Sequence, residues 1–170
     1  MVSTTALTNT GRIFFYGSSA SANHALLTVS GATTNDGSIL ITTDTEELAG
    51  AVGGTGSFSL SNANLLFDSS VLVEQTINES GADALTLKQA QSFAGTISGF
   101  GTGDTIDATN FLFSGTTFNF VENSANTGGT LTLTDSSQSL TANILMTGKY
   151  SNSDFTLVPD SGTGTLVKFV

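Results

Sequence analysis

From residue 92 to 107 the chain reads Ser-Phe-Ala-Gly-Thr-Ile-Ser-Gly-Phe-Gly-Thr-Gly-Asp-Thr-Ile-Asp. Its apolar side chains, Phe93, Ile97, Phe100 and Ile106, are parted by turn-forming residues, and no interval is long enough to carry a helical period. The same texture runs almost end to end: brief Thr/Val/Leu/Ile/Phe strands, then Gly/Ser/Asn/Asp corners. A chain written this way stacks strands, and it leaves little room for buried catalytic machinery.

Composition narrows the classes further. Charged residues are 11% of the chain, against roughly 25% in ordinary globular proteins, and Ser, Thr, Gly and Asn supply the polarity instead. With 38% hydrophobic residues and twelve Phe, the chain has enough apolar surface to fold, as one domain over residues 1–170. The net charge of −10 comes from fourteen acids and four bases, Arg12, Lys88, Lys149 and Lys168. Bases so few and so dispersed cannot neutralise a run of phosphates, which excludes nucleic acid as a partner. The chain lacks cysteine and has one His, so thiol chemistry, disulfides and multi-histidine metal sites are excluded. Apolar runs stop at about four residues, far short of the roughly twenty that cross a bilayer, so no membrane insertion is expected. No basic segment followed by an apolar one opens the chain, which predicts export without a cleaved leader or a fragment carrying an added Met.

The strands are legible one by one. Met1 to Gly11 reads as polar and loosely held, and Arg12–Tyr16 as the first strong strand. Residues 26–29 and 38–42 follow, bounded by punctuation such as Asn35-Asp36-Gly37. Asp44 to Ala49 is the one expected helical turn, capped by Asp44 with Glu47 three residues on. Gly50 to Gly56 reads as a flexible corner. Beyond it similar strands recur about every twenty residues: Leu65-Leu66-Phe67, Leu85-Thr86-Leu87, Thr105-Ile106-Asp107. A strand repeat near that period is the signature of a β-solenoid coil. The expected fold is therefore all-β, a parallel β-helix over about 12–110. A more antiparallel set over about 111–170 would cover its end or form a sandwich of its own. Thr117–Val121 puts Phe118 and Phe120 on one face, and Thr130–Thr134 turns Leu131 and Leu133 inward. Asn126–Gly129 and Asp160–Gly164 read as hairpin connections, and Pro159, the only proline, falls at a strand end.

The Ser92–Phe111 wording, with Gly129–Asp135, Thr141–Ile144, Gly148–Ser151 and Asp154–Leu157 after it, resembles the C-terminal β-solenoid module of large bacterial surface proteins. These are the autotransporter-like and type I-secreted adhesins. The resemblance covers roughly residues 84–168. It implies an extracellular parallel β-helix at the bacterial surface, structural or adhesive, exported by a type I route, with no catalytic residues to transfer.

Among side chains that carry chemistry, Asp104 and Asp107 in Gly-Thr-Gly-Asp-Thr-Ile-Asp stand out. Glycine turns bring carboxylates and carbonyls together as calcium requires. The stretch resembles half of a Gly-Gly-x-Gly-x-Asp calcium repeat, and the competing reading is a turn in which Asp104 holds backbone N–H groups. No other cofactor is expected. Glu46, Glu47, Glu74, Glu79 and Asp83 are scattered acids, and a glycosidase pair would have to face across a cleft. His24 follows Ser18, Ser19 and Ser21 without a nucleophile-elbow motif. Asn78-Glu79-Ser80 fits the N-glycosylation pattern, which a bacterial surface protein would leave unmodified. The Phe residues, Phe14 and Phe15 included, are expected in the core, with Tyr16 and Tyr150 as exposed rings.

These features together predict a non-enzymatic extracellular structural or adhesive β-solenoid protein that self-assembles into filaments or a surface or biofilm matrix, its partner another copy of itself. The alternatives are a module that binds polysaccharide or another cell-surface ligand, and a carbohydrate-active enzyme on a β-helix scaffold.

Overall fold

The computed structural model describes residues 2–17 and 27–170, so Ser18, Ser19, Ser21, His24 and Leu26 lie outside the described residues. Short strands come in successive tiers. The first tier holds β1 (Val2–Thr4), β2 (Leu7–Asn9) and β3 (Arg12–Tyr16). The second holds β4 (Leu27–Val29), β5 (Thr33–Asn35) and β6 (Ser38–Thr42), and the third β7 (Thr45–Leu48), β8 (Val52–Gly53) and β9 (Ser57–Ser61). The fourth tier has β10 (Asn64–Phe67) and β11 (Thr76–Asn78), the fifth β12 (Ala84–Leu87) and β13 (Thr96–Ser98), and β14 (Thr105–Ala108) begins a sixth. Longer strands follow: β15 (Thr116–Glu122), β16 (Gly128–Asp135), β17 (Leu140–Thr147), β18 (Phe155–Pro159) and β19 (Thr165–Phe169).

The protein is all-β, and its sheets are open rather than closed into a barrel. One sheet runs β1-β4-β7-β10-β12-β14, every pair parallel, and ends in β19 and β18, which pair antiparallel. A second runs β3-β6-β9-β11-β13 in parallel and continues through β17, which joins β13 in parallel, into antiparallel β16 and β15. The third joins β2, β5 and β8, and single bridges from Val52 to Val71 and from Val71 to Phe93 extend it.

Register explains why the apolar residues fall where they do. Thr45 pairs with Asn64, Asn64 with Ala84 and Ala84 with Thr105, steps of 19, 20 and 21 residues. Leu65, Leu85 and Ile106 therefore stack in one inward column, and Ile39, Phe58, Ile77, Ile97 and Met146 in another. All eight are buried. Because side chains alternate across a strand, each column fills the interior while the intervening residues, many of them Ser, Thr and Asn but Leu40 and Leu66 among them, face out. The growing step is absorbed at the corners, where Gly81, Gly99 and Gly103 hold left-handed backbone (φ +112, +87 and +101). A side chain at Gly99 would meet the Glu79 carbonyl oxygen at 2.3 Å.

The far end of the stack is covered by aromatic rings from the late strands. Phe155 packs with Phe120 at 5.4 Å, Tyr150 at 5.6 Å and Phe100 at 6.1 Å between centroids, and the Tyr150 hydroxyl donates to the Phe100 carbonyl oxygen at 2.9 Å. The first tier has no such cover among the described residues. Its inward Leu7, Ile13 and Phe15 stay only partly buried, whereas Val29, Ile39 and Ile41 in the next tier are closed off from solvent.

Four local expectations are corrected. Asp44–Ala49 is no helical turn: β7 occupies it, because pairing with β10 on one side and β4 on the other outweighs a Glu-Glu-Leu helix preference. The stretch Met1–Gly11 is not simply loose, since it contains β1 and β2. The glycine-rich corner at 50–56 contains β8. Phe14 faces outward, 46% exposed, since period-two alternation on β3 turns Ile13 and Phe15 to the interior instead.

Candidate functional site

Asp104, the first calcium candidate, is buried with both carboxylate oxygens in use. Oδ1 accepts the Asp83 N–H at 2.8 Å, and Oδ2 accepts the Gly101 N–H at 2.7 Å. One tier earlier Asp83 repeats the pattern, accepting from Ala63 N–H at 2.8 Å and from Ser80 N–H at 2.6 Å. Each carboxylate thus ties its own tight turn, three residues back, to the tier beneath it. The glycine between, Gly81 or Gly103, lets the backbone curl enough to present that N–H. Of the two readings of this turn, the geometry is that of Asp104 holding backbone N–H groups.

Asp107 sits elsewhere. It follows Ile106 on β14 and points to the opposite face, and burial, with Asp160 nearby, pushes its carboxyl up to about 6. The two aspartates therefore do not converge on one ion. Among the described residues no three His, Cys, Asp or Glu side chains are grouped to hold a metal.

The scattered acids are not equivalent. Glu46 lies in the inward column beside Leu65, where burial pushes its carboxyl up to about 8 against the Leu27 N–H, which donates to Oε2 at 2.7 Å. Glu79 follows Ile77 inward and is only 6% exposed, with no hydrogen-bond partner on either oxygen among the described residues. Burial first, then the charges of Asp104 and Asp83, push it up to about 9. At both positions burial favours the neutral acid over the carboxylate. Glu47 stays at the surface with Asp68, both against Lys88. Glu74 lines a shallow groove with Leu72 and Val73. No two of these acids face each other across that groove.

A second corner carries an amide ladder that sequence reading missed. Asn9 donates to Asn35 Oδ1 at 2.8 Å, Asn35 donates to Gln75 Oε1 at 3.1 Å, and Gln75 returns a bond to the Asn35 carbonyl oxygen at 2.8 Å. Asn35 had the look of turn punctuation in Asn-Asp-Gly. The available signal was its alternation with Thr33, which puts both inside.

On the outer surface, Arg12, Phe14 and Tyr16 stand in a row along β3. The two rings lie 6.0 Å apart and within 6° of parallel, and the guanidinium sits 5.5 Å from the Phe14 ring centre. A wider groove of about 410 Å³ opens over the second sheet, lined by Val121, Glu122, Asn123, Thr130 and Leu145 among others. Tyr150, expected as an exposed ring, is drawn into the aromatic cover.

Open, mostly parallel sheets with aspartates that accept backbone N–H groups between tiers define an all-β protein of stacked strands. The chain belongs to the family of hyphally regulated cell wall protein N-terminal domains, a fungal family whose model matches residues 1–170. Among curated proteins no match was found. Family membership gives an extracellular, cell-wall location. It overturns the resemblance to bacterial autotransporter-like and type I-secreted adhesins, and with it the bacterial surface and the type I route lose their support. The misleading text has a physical role here: in Gly-Thr-Gly-Asp, as in Ser80-Gly81-Ala82-Asp83, a left-handed glycine and an aspartate tie a tight corner to the next tier.

Proposed function

We propose that this chain is a non-enzymatic structural and adhesive module of the cell wall, a β-solenoid whose first tier docks on a second copy of itself. The stacked parallel registers, repeating every 19 to 21 residues in the middle tiers, support the solenoid reading. The observation that carries the docking is the asymmetry of the two ends. Aromatic rings cover one, where β15 and β18 are outermost, while at the other, among the described residues, β1, β2 and β3 are outermost and Leu7, Ile13 and Phe15 are incompletely buried. An unpaired strand edge over an apolar end is a template for another chain.

Charge favours the same place. All fourteen acids lie from Asp36 onward, so two copies meeting at their first tiers bring no carboxylates together, whereas elsewhere a net charge of −10 opposes contact. A head-to-head contact between two first tiers closes at two copies, whereas a head-to-tail contact would build the filament. Sedimentation velocity over a range of concentrations tests this. Wild type should pass from monomer to dimer, and Phe15→Glu should stay monomeric with an unchanged circular dichroism spectrum. A wild type that is monomeric throughout overturns the docking.

The row of Arg12, Phe14 and Tyr16 supports a second reading, a glycan-binding surface, since near-parallel exposed rings stack on sugar faces and flanking donors meet hydroxyls. Retention on cell-wall polysaccharide that is lost in the Phe14→Ala, Tyr16→Ala double variant supports it, and a wild type that is not retained removes it.

A further inference from the structure

We propose that Asn78 is an N-glycosylation site of this protein. The motif Asn78-Glu79-Ser80 is followed by Gly81, so no proline blocks it at either position. Membership of a fungal cell-wall family supplies what a bacterial origin would have denied, passage through a secretory pathway that glycosylates asparagine.

The fold has room for the product. Asn78 is the last residue of β11, between the inward Ile77 and Glu79, so its own side chain leaves the sheet outward. Its neighbours in register on that face are Ser59 below and Ser98 above, two of the smallest polar side chains. A sugar on Asn78 therefore rises between serines, with Leu40 and Thr147 the next residues out on either side of its row. Ser80, the hydroxyl the motif requires, is exposed in the turn beyond, where Gly81 bends the chain back (φ +112). The Asn78 amide nitrogen makes one long bond, to the Phe58 carbonyl oxygen at 3.4 Å. That bond uses one of the two amide hydrogens, and the other is the one lost on glycosylation.

The transfer balances simply. The Asn78 amide nitrogen attacks the anomeric carbon of an N-acetylhexosamine at the reducing end of a lipid-diphosphate-linked oligosaccharide. The new N–C bond replaces the C–O bond to phosphate, the lipid diphosphate leaves, and the amide proton passes to a base of the transferase. The step precedes folding, and the outward face keeps the glycan clear of the interior columns afterwards. Glycosylation at this site is independent of first-tier docking, since β11 lies in the fourth tier.

The test is secretion of the whole 170-residue chain from a yeast host, followed by intact mass and peptide mapping before and after treatment with an N-glycan amidase. The expected result is a heterogeneous mass increase that the amidase removes, leaving aspartate at position 78 in the mapped peptide. That amidase-sensitive increase should vanish in Asn78→Gln and in Ser80→Ala and persist in Ser80→Thr. Sugars on Ser or Thr hydroxyls survive the amidase and so do not confuse the reading. Secreted, folded wild type whose peptide carries unmodified Asn78 overturns the proposal, as does a glycan that appears only with Ser80→Thr.

Discussion

The carboxylate of Asp104 accepts the backbone N–H of Asp83, one tier below, and Asp83 in turn accepts the N–H of Ala63, one tier below that. Two acids of a strongly acidic chain are thereby converted into mortar between tiers. Their second oxygens close the turns at Gly101 and Ser80, so one side chain serves both a local bend and a long-range contact.

Removing one link should therefore cost more than a surface substitution does. In Asp83→Ala the buried Ala63 N–H and the Ser80 N–H both lose their acceptor, and a donor left unpaired costs about 1–3 kcal/mol. The expected loss is about 2–4 kcal/mol in urea unfolding. Asp83→Asn, which keeps one acceptor oxygen, should fall between that variant and wild type. Equal stability of Asp83→Ala and wild type would show that the turn holds without it.

Glu79 makes stability depend on pH in the direction opposite to acid denaturation. Its carboxyl is pushed from an ordinary 4.5 up to about 9, by burial and by the facing charges of Asp104 and Asp83, with the Tyr150 phenol close by. The folded state thus binds a proton that the unfolded chain releases. The stabilisation is complete below about pH 4.5 and is lost as pH rises through about 9. Within that window one such group contributes a slope of at most about 1.4 kcal/mol per pH unit. Melting temperature should fall from pH 5 to pH 9, with Glu46, pushed up to about 8, adding to the slope. Glu79→Gln should flatten the profile, and a slope unchanged in that variant would assign the effect to net charge instead.

How much of this was readable in the residues differs by level. Leu65 and Leu85 were visible as repeats because period two and a step near twenty coincide there, and the structure pairs them directly. The next pair is Leu85 with Ile106 rather than Thr105, since the Gly99–Gly103 corner takes up one more residue than an even period allows. Glu46 was opaque: Glu-Glu-Leu favours a helix in isolation, and only two flanking strands and the Leu27 N–H make an inward glutamate tolerable. The Asn9–Asn35–Gln75 ladder was equally hidden, because its members lie 26 and 40 residues apart and each alone reads as a loop residue. Phe14 is not legible because four consecutive strong strand formers at 13–16 do not reveal which parity faces in.

The glycine corners offer a sharper test of register than the apolar columns. Gly99 sits at φ +87, and a methyl group there would stand 2.3 Å from the Glu79 carbonyl oxygen, a backbone atom that cannot rotate away. Gly99→Ala must displace one tier against the next, and a loss of about 2–3 kcal/mol or more is expected in thermal unfolding. Gly11→Ala, with open space around its position, should be near neutral. Comparable losses in both variants would mean that the corner at 99 does not set the spacing.

The amide ladder makes the last prediction. Asn35 gives one hydrogen-bond chain to both sides: its Oδ1 accepts from Asn9, its amide donates to Gln75 and to the Ser57 carbonyl oxygen, and its backbone oxygen accepts from Gln75. Truncation in Asn35→Ala takes the donor from the buried Gln75 Oε1 and one acceptor from the Asn9 amide, while the Gln75 amide keeps the backbone oxygens of residues 35 and 53, with an expected cost of about 1–3 kcal/mol. Asn35→Asp tests the donors separately, since a carboxylate keeps the acceptor for Asn9 but faces Gln75 Oε1 with no hydrogen to give. It should lose stability as pH rises above the ordinary carboxylate range. A double-mutant cycle of Asn35→Ala with Gln75→Ala should show the two costs falling well short of additive, because either change alone already breaks the shared link. Strict additivity would mean that the amides act separately and that the corner is held by backbone bonds alone.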